Sequence, residues 1–157
     1  MDIRAMTGGD YDGVRALIRQ VHALHASARP DIYADADPLS RDYFYTLLGS
    51  NATIALVAEL SGELIGFCVV TLRPPSSNPV MRARIVAYME DLCVDVRHRT
   101  CGVGTQLFET AKALASQRGA SSLELMVWSF NGPAFAFYEH MGMAPRSVIM
   151  ELPLPPG

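Results

Sequence analysis

The hydrophobic pattern of the chain changes near residue 100, and this change constrains the fold more than any other feature of the sequence. Residues 85–96 form a mostly apolar run rich in β-branched residues, which predicts a long strand. Over residues 103–115 the apolar positions instead recur at helical intervals. Gly102 and Gly104 lie at the junction, within the stretch RTCGVGT. The sequence therefore predicts a strand, a glycine loop and a helix in direct succession.

The other strands are predicted from short apolar runs, each with turn-forming residues at both of its ends. Residues 53–60 and 64–72 are such runs, and Ser61-Gly62-Glu63 between them predicts a β-hairpin. Further strands are expected over residues 3–6, 123–128 and 148–152.

The remaining helices are predicted from helical spacing and from signals at their ends. Thr7 and Asp10 have the spacing of a capping box, which predicts a helix that continues to residue 26. Shorter helices are expected over residues 43–48 and 131–142. Strand pairs followed by a β-α-β unit, without a repeat or a linker, predict a single mixed α/β domain that spans all 157 residues.

Composition and charge narrow the classes of function. A chain of 157 residues that is 50% hydrophobic has material for one buried core. Its formal net charge of -3 argues against a nucleic-acid-binding surface. No apolar run reaches the roughly 20 residues that span a bilayer, and the N-terminus MDIR lacks the layout of a signal peptide. Three irregularly spaced cysteines argue against a disulfide framework or a zinc site. We therefore expect a cytoplasmic protein with no metal, no nucleic-acid partner and no membrane association.

The glycine loop has the chemistry of an anion-binding site. The first N–H groups of a helix are unpaired and carry a partial positive charge. Because Gly102 and Gly104 have no Cβ, a phosphate can approach these N–H groups, and Arg99 adds a charged donor. The loop lacks the Gly-Lys-Ser/Thr of a Walker loop and the third glycine of the dinucleotide fingerprint. The residues alone leave two alternatives, a pyrophosphate cradle or a plain strand-to-helix turn with Arg99 in solvent.

Two motifs in the second half of the chain resemble those of the GNAT superfamily of N-acetyltransferases. The stretch YMEDLCV, followed by the pattern R-x-x-G-x-G that starts at Arg99, resembles the acyl-CoA-binding motif of that family. Residues 128–143 resemble its second signature, an Asn, then an Ala, then Phe-Tyr, followed by Gly and an apolar residue. The order and spacing of both motifs agree with the family over residues 85–150.

The resemblance implies a fold, an activity and a co-substrate. The implied fold is the α/β (α+β) GNAT fold, a central mixed, mostly antiparallel sheet of six to seven strands flanked by about four helices. The implied activity is transfer of acetyl from acetyl-CoA to a primary amine, by direct attack in a ternary complex. The acceptor would be a small-molecule or peptide amine. Because dimers are frequent in the family, a homodimer is also among the expectations. The alternatives are transfer from a longer acyl-CoA and a non-catalytic CoA-binding module.

The same resemblance assigns cofactor-binding roles to residues of both motifs. The strand residues that would pair through their main chain with the pantetheine arm are Leu92, Cys93 and Val94. The loop residues that would bind the pyrophosphate are Arg99, Thr100, Cys101, Gly102, Val103, Gly104 and Thr105. On the later helix, Asn131 would contact the pantetheine arm, and Ala134 and Phe137 would line the cofactor groove.

Acyl transfer to an amine requires a proton acceptor for the amine and benefits from a proton donor to the leaving thiolate. The resemblance places Tyr138 near the thioester sulfur as the general acid; the alternative is a half-buried core tyrosine. Glu90 is the expected base, because a carboxylate on an apolar strand indicates a cleft. The surrounding residues 88–91 are similar to spermidine/spermine acetyltransferases, in which the glutamate accepts the proton through water. Asp91 is the competitor, and strand alternation sends the two side chains to opposite faces.

Three other groups indicate weaker sites. Cys101, with His98 as its base, is a candidate nucleophile for an acyl-enzyme. A role for Cys101 in binding the cofactor phosphate is favoured, because no third group that would orient the histidine is evident. His22 and His25 share a helical face, and two ligands without a third are weak evidence for a metal site. An acidic loop is suited to attracting a cationic amine, or is simply solvated. Its residues are Asp31, Asp35 and Asp37.

Overall fold

The computed structural model describes residues 1–157, which divide into two units, Met1–Leu125 and Met126–Gly157. The strands are β1 Asp2–Ala5, β2 Thr53–Leu60, β3 Glu63–Arg73, β4 Ile85–Val94 and β5 Ala120–Glu124. The helices are α1 Tyr11–Ala28, α2 Arg41–Leu48, α3 Val103–Gln117 and α4 Gly132–His140. None of these helices has the length and hydrophobicity that crossing a bilayer requires.

One sheet organises the first unit, with its strands in the order β1-β2-β3-β4-β5. Neighbours are antiparallel from β1 to β4, and β5 runs parallel to β4. The expected mixed, mostly antiparallel sheet and the four helices are confirmed. The expected count of six to seven strands is wrong, because the sheet has five.

The hairpin expected between β2 and β3 is formed. Leu60 pairs with Glu63, so a two-residue turn of Ser61 and Gly62 joins the strands. Both turn residues have positive φ, 53° and 83°, as the tight turns favoured in hairpins require. The turn sets the register of β3, whose residues 65–70 are all buried, so both faces of this strand are covered.

Two predicted strands differ from the structure, and the first is displaced. β5 lies at Ala120–Glu124 instead of residues 123–128. Gly119, with φ of 85°, reverses the chain just after α3, and the strand begins at the next residue. Parallel pairing of Ile85 with Ala120 then sets the register. The apolar pattern of residues 123–128 is local and carries no information about that pairing.

The second difference is the expected last strand at residues 148–152, which is not formed. Val148, Ile149 and Met150 are 78–87% exposed. The β-branched composition favours an extended chain, but a strand also needs a neighbour with which to form hydrogen bonds. The composition of residues 148–152 therefore does not by itself make them a strand, and the sheet has fewer strands than expected.

Helices α1 and α2 cover one face of the sheet with a buried apolar cluster. Tyr11 of α1 and Phe44 of α2 pack edge to face, with ring centroids 5.4 Å apart. Leu17 of α1 joins them, together with Phe67 of β3 and Cys93 of β4. The same cluster therefore holds the end of β4, where the predicted pantetheine residues lie, in a fixed position.

Helix α3 lies close to β3 because Gly66 has no side chain. A Cβ on Gly66 would be 2.9 Å from the carbonyl oxygen of Cys93 and 3.0 Å from Leu107 Cδ1. Leu107 is fully buried, as are its helix neighbours Phe108 and Ala111. The first turns of α3 are thereby fixed against the sheet next to the end of β4.

The capping box predicted at the start of α1 is supported by a salt bridge. The backbone N–H of Thr7 donates to Asp10 Oδ2 over 2.7 Å. Arg4 of β1 donates to the same carboxylate over 2.8 Å and also to Glu59 of β2. The Arg4 guanidinium holds the pKa of Asp10 at about 2. This network connects β1, β2 and the start of α1.

The second unit, Met126–Gly157, contains α4. Asn131 Oδ1 accepts the backbone N–H of Ala134 over 3.2 Å and caps the helix. At the other end, Gly142 has φ of 90° and the Met143 N–H donates to the Tyr138 carbonyl. The helix predicted over residues 131–142 is therefore confirmed.

Candidate active site

β4 and β5 separate halfway along the sheet. β5 pairs with β4 over Ile85 to Tyr88, whereas β3 pairs with β4 up to Val94. Residues 89–94 therefore have a strand on one side and none on the other; we call this the β4 edge. It contains the predicted pantetheine-binding residues, which are Leu92, Cys93 and Val94. A strand edge of this kind is suited to an extended ligand that carries amide groups.

The loop of residues 99–105, which we call the cradle, connects the end of β4 to α3. Thr100 and Gly102 have φ of 65° and 80°. Left-handed conformations that alternate with ordinary ones turn successive backbone N–H groups toward one side, which forms an anion-binding concavity. A Cβ on Gly102 would have no atom within 4 Å. The space beside Gly102, at the start of α3, is therefore open.

Thr100 is an unusual residue for this conformation. A β-branched side chain at positive φ is strained, at a cost of roughly 1–3 kcal/mol. Its hydroxyl donates to the Arg99 carbonyl over 2.6 Å. Strain of this kind is concentrated at functional sites in proteins, so the backbone geometry favours a ligand-binding loop over a plain turn.

Arg99 connects the cradle to the β4 edge. The side chain is exposed, and its Nε donates to the carbonyl oxygen of Val94 over 3.3 Å. The positive charge of Arg99 thus lies between the end of β4 and the left-handed loop. Cys101, the next cradle candidate, is also exposed.

A β-bulge interrupts the alternation of β4 at Glu90. Asp91 pairs with Val69 and Met89 pairs with Val70, so Glu90 is the extra residue. The sequence-based argument that alternation separates Glu90 and Asp91 onto opposite faces therefore does not hold, because a bulge changes the direction of side chains locally. Both carboxylates influence the same phenol, that of Tyr43 on α2.

The two carboxylates differ in their surroundings. Glu90 is exposed, whereas Asp91 is largely buried. Burial, together with a smaller effect from the charge of Glu90, raises the pKa of Asp91 from 3.8 to about 6. The protonation of Asp91 therefore changes close to neutral pH.

Tyr43 is placed within the influence of both carboxylates, which the sequence did not indicate. Burial raises the pKa of its hydroxyl, and the charges of Asp91 and Glu90 raise it further. The side chain is nevertheless 54% exposed, so it lies at the rim of the carboxylate pair. Tyr43 lies on a short helix almost 50 residues before the two carboxylates in the chain, and no sequence pattern predicts that the three side chains come together.

The weaker candidate sites lack the further groups that they would need. The buried Nδ1 of His98 has no hydrogen-bond partner, so no hydrogen bond links that nitrogen to the Cys101 thiol. Nε2 of His22 bonds to the Ala34 carbonyl, and His25 packs on the ring of Tyr33. No group of three or more His, Cys, Asp and Glu side chains is placed to hold a metal ion.

Aspartates of the acidic loop form ion pairs with arginines of the same chain. Asp37 accepts from Arg15 over 2.5 Å, and Asp31 accepts from Arg29 over 2.7 Å. Two of its three carboxylates are thus paired within the chain, which argues against the loop as the main attraction for a cationic amine.

The remaining predicted residues lie on α4 in the second unit. Tyr138 and Phe137 are half-buried, and their rings contact each other edge to face with centroids 5.3 Å apart. Asn131 uses its side-chain oxygen to cap the helix. Ala134 provides the capped N–H and is also half-buried. These four residues form one local structure around the start and the middle of α4.

Comparison with known proteins agrees with this architecture. The chain is 31% identical over 142 residues to an uncharacterized N-acetyltransferase, YhfO, of Bacillus subtilis (strain 168), a match that covers 90% of this chain and 89% of the relative. A crystal structure of a mutant of the BH1408 protein from Bacillus halodurans has a TM-score of 0.95 and 32% identity, and covers 99% of this chain and 100% of that one.

A more distant structure shares the fold. The aminoglycoside N-acetyltransferase AAC(6')-Iy in complex with CoA has a TM-score of 0.75 at 17% identity, over 98% of this chain and 99% of that one. Residues 18–143 match the acetyltransferase (GNAT) family. Since this match spans most of the sequence, from α1 to the end of the second motif, the chain belongs to the GNAT family and is an N-acetyltransferase of that family.

Proposed function

We propose that the protein transfers acetyl from acetyl-CoA to a primary amine by direct attack in a ternary complex. The observation that carries the proposal is the β4 edge, which ends at a left-handed, open cradle at the start of α3. This is the arrangement that a long ligand with amides at one end and a pyrophosphate at the other requires.

In this proposal the cofactor lies along the β4 edge and ends in the cradle. The backbone groups of residues 92–94 form strand-like hydrogen bonds with the pantetheine arm. The amides of residues 102–105 bind the pyrophosphate, and the Arg99 guanidinium adds a charged hydrogen bond. Acetyl-CoA supplies an activated thioester, and the chain's own residues orient it and manage the protons.

The Glu90–Asp91 pair is the proposed acceptor of the amine proton. Two neighbouring carboxylates attract an ammonium ion, and the exposed Glu90 is accessible to it through water. Asp91 is supported by its pKa of about 6, because a base works best when its pKa is near the working pH. We keep Glu90 as the first candidate and Asp91 as its competitor, and the two single variants discussed below separate them.

Direct attack is supported by the state of the cysteine on the β4 edge. Burial raises the pKa of the Cys93 thiol to about 12, so the thiolate that a covalent intermediate needs is scarce at neutral pH. The Cys93 Sγ donates to the Leu17 carbonyl over 3.3 Å. Cys93 is thereby held as part of the core. After attack by the amine, the Tyr138 hydroxyl donates a proton to the departing thiolate.

The proposal is tested by acetyl-CoA consumption with a panel of amines: polyamines, aminoglycosides, lysine side chains and peptide N-termini. We expect release of free CoA with at least one class, and an N-acetylated product identified by mass spectrometry. Comparison with longer acyl-CoAs under the same conditions measures the acyl preference. Tight binding of acetyl-CoA without release of CoA for any amine would contradict transferase activity and favour a CoA-binding module.

A further inference from the structure

A short segment connects β4 to the cradle. Residues 95–98, which we call the connector, begin at Asp95 and form one turn of 3₁₀ helix over Val96–His98. Val96 is 56% exposed and Arg97 is also exposed, so the burial of these two side chains contributes little to holding the turn in place. The position of the connector therefore depends on its hydrogen bonds.

Asp95 is at the centre of these hydrogen bonds. The residue is buried, and its Oδ1 accepts the backbone N–H of Arg97 over 2.8 Å, which caps the turn. The guanidinium of Arg97 donates to both carboxylate oxygens over 3.0 Å and also pairs with Glu63 of β3. These hydrogen bonds from Arg97 hold the pKa of Asp95 well below its usual range. The carboxylate is therefore ionised at neutral pH and caps the turn there.

Gln20 joins the connector to α1. Its Nε2 donates to Asp95 Oδ2 over 3.5 Å, and its Oε1 accepts the backbone N–H of Val96 over 3.1 Å. A carboxylate needs a donor and an N–H needs an acceptor, so one orientation of the amide satisfies both. About one turn earlier in α1, the carbonyl of Leu17 accepts from Cys93 Sγ over 3.3 Å. Two successive turns of α1 thus hold the end of β4 and the connector that follows it.

The connector directly precedes the strained part of the cradle. Thr100 has φ of 65°, and a strained conformation persists only where the surrounding structure fixes it from both sides. On one side, α3 is anchored by the fully buried Leu107. On the other side, the His98 N–H donates to the Asp95 carbonyl and the Asp95 N–H donates to the Ile65 carbonyl, both over 2.9 Å. Release of the connector would let the strain at Thr100 relax and change the direction of the cradle amides.

We propose that Gln20 and Asp95 are positioning residues of the cofactor site, which fix the connector to α1 and thereby hold the cradle in its binding conformation. The inference rests on the proposed binding of acetyl-CoA in the cradle. Both residues lie outside the cradle, so they act through the connector. Without them the free protein populates other cradle conformations, and the apparent affinity falls in proportion to the fraction that remains competent to bind.

The first experiment compares two variants by calorimetric titration with acetyl-CoA. Gln20→Leu removes both side-chain hydrogen bonds at similar volume, and Ile54→Val is the control, a buried position on β2 outside the connector and the cradle. We expect Gln20→Leu to raise the Kd about tenfold and Ile54→Val to leave it unchanged. A native protein that binds no acetyl-CoA overturns the proposed function. An equal Kd in Gln20→Leu and the native protein overturns the positioning role alone.

Steady-state kinetics separate positioning from a part in the chemistry. We expect the KM for acetyl-CoA to rise in Gln20→Leu while kcat stays within about twofold of the native value, because the lost contribution is the same in the ground state and the transition state. A fall in kcat of about tenfold or more with an unchanged KM contradicts a positioning role for Gln20.

Hydrogen exchange in the absence of acetyl-CoA separates positioning from the loss of a single hydrogen bond. The N–H groups of Asp95, Arg97 and His98 keep their own partners in Gln20→Leu. We expect these three to exchange about tenfold faster than in the native protein, because the connector opens more often. Ile54→Val should leave them unchanged relative to the rest of the sheet. Faster exchange confined to Val96, or equal acceleration over the whole chain, overturns the proposal.

Asp95 is tested by rescue with a conservative variant. Asp95→Asn keeps a side-chain oxygen that caps the turn, whereas Asp95→Ala has none. We expect Asp95→Ala to raise the Kd of acetyl-CoA about tenfold and Asp95→Asn about threefold. Equal Kd values in the two variants overturn the assignment of Asp95, and the Gln20 variant tests the connector in a protein that keeps its cap.

Discussion

At the scale of single residues, the environment distinguishes side chains that the sequence presents as equivalent. Glu90 and Asp91 are adjacent carboxylates, yet the bulge at Glu90 leaves one exposed and the other largely buried. The pKa of Asp91 therefore rises to about 6 because its charged form has lost solvent. The consequence is a carboxyl group that lowers stability when it ionises.

The stability effect of Asp91 has a defined sign. A carboxyl group whose pKa is higher in the folded state binds its proton more tightly there, so protonation favours folding. This contribution is complete below pH 3.8 and is lost as the pH rises through about 6. We expect Asp91→Asn to gain about 3 kcal/mol in unfolding free energy relative to the native protein between pH 3.8 and pH 8.

Urea unfolding at these two pH values measures the difference, and Glu90→Gln, at an exposed position, is the matched control. The same variants test the base. If Asp91 accepts the proton, Asp91→Asn removes the inflection near pH 6 from the rate profile, and Glu90→Gln keeps an inflection that moves to lower pH because the charge of Glu90 is lost. Loss of turnover in Glu90→Gln together with an active Asp91→Asn assigns the role to Glu90.

Tyr138 is tested by removal of one oxygen. We expect Tyr138→Phe to lower turnover by about 100-fold, the scale of general acid catalysis, while the KM for acetyl-CoA changes little. The ring contact with Phe137 is preserved in this variant, which makes Phe137→Leu the control for packing. Equal turnover in Tyr138→Phe and the native protein removes the acid role.

At the scale of elements, most helices and strands follow from local pattern, and the exceptions depend on pairing. The hydrophobic periodicity predicted α1, α3 and α4 because each helix satisfies its own backbone. The two errors, at residues 123–128 and 148–152, both concern strands. A strand's limits depend on a distant neighbour, and no local pattern contains the register of β5 on β4.

The cradle is an element-scale feature with a natural control in the hairpin turn. Gly102 and Gly62 have φ of 80° and 83°, and a Cβ on either meets no atom within 4 Å. Alanine at either position therefore costs about 1–2 kcal/mol of backbone strain. We expect both Ala variants to lose similar stability, and Gly102→Ala alone to weaken acetyl-CoA binding, by about tenfold. Calorimetric titration measures this, and equal affinity in the two variants contradicts the cradle.

At the scale of the whole molecule, cofactor binding should stabilise the folded protein. Acetyl-CoA at 100 times its Kd adds about 2.7 kcal/mol, which raises the Tm by roughly 5–10 °C for a chain of this length. NAD and ATP carry phosphates but no pantetheine arm for the β4 edge, so we expect little change with either. Thermal unfolding followed by fluorescence gives the comparison, and equal shifts with all three compounds would show that the site does not recognise the arm.

The sequence by itself determined the family, the order of the elements and the position of the cradle. These depend on local composition: a glycine pair at a helix start, a run of β-branched residues and a capped amphipathic helix. Tertiary structure alone decided that β4 separates from β5 after Tyr88, that a bulge falls at Glu90, and that both carboxylates influence the Tyr43 hydroxyl. The physical reason is that register, burial and pKa arise from contacts between segments far apart in the chain, which a one-dimensional pattern does not encode.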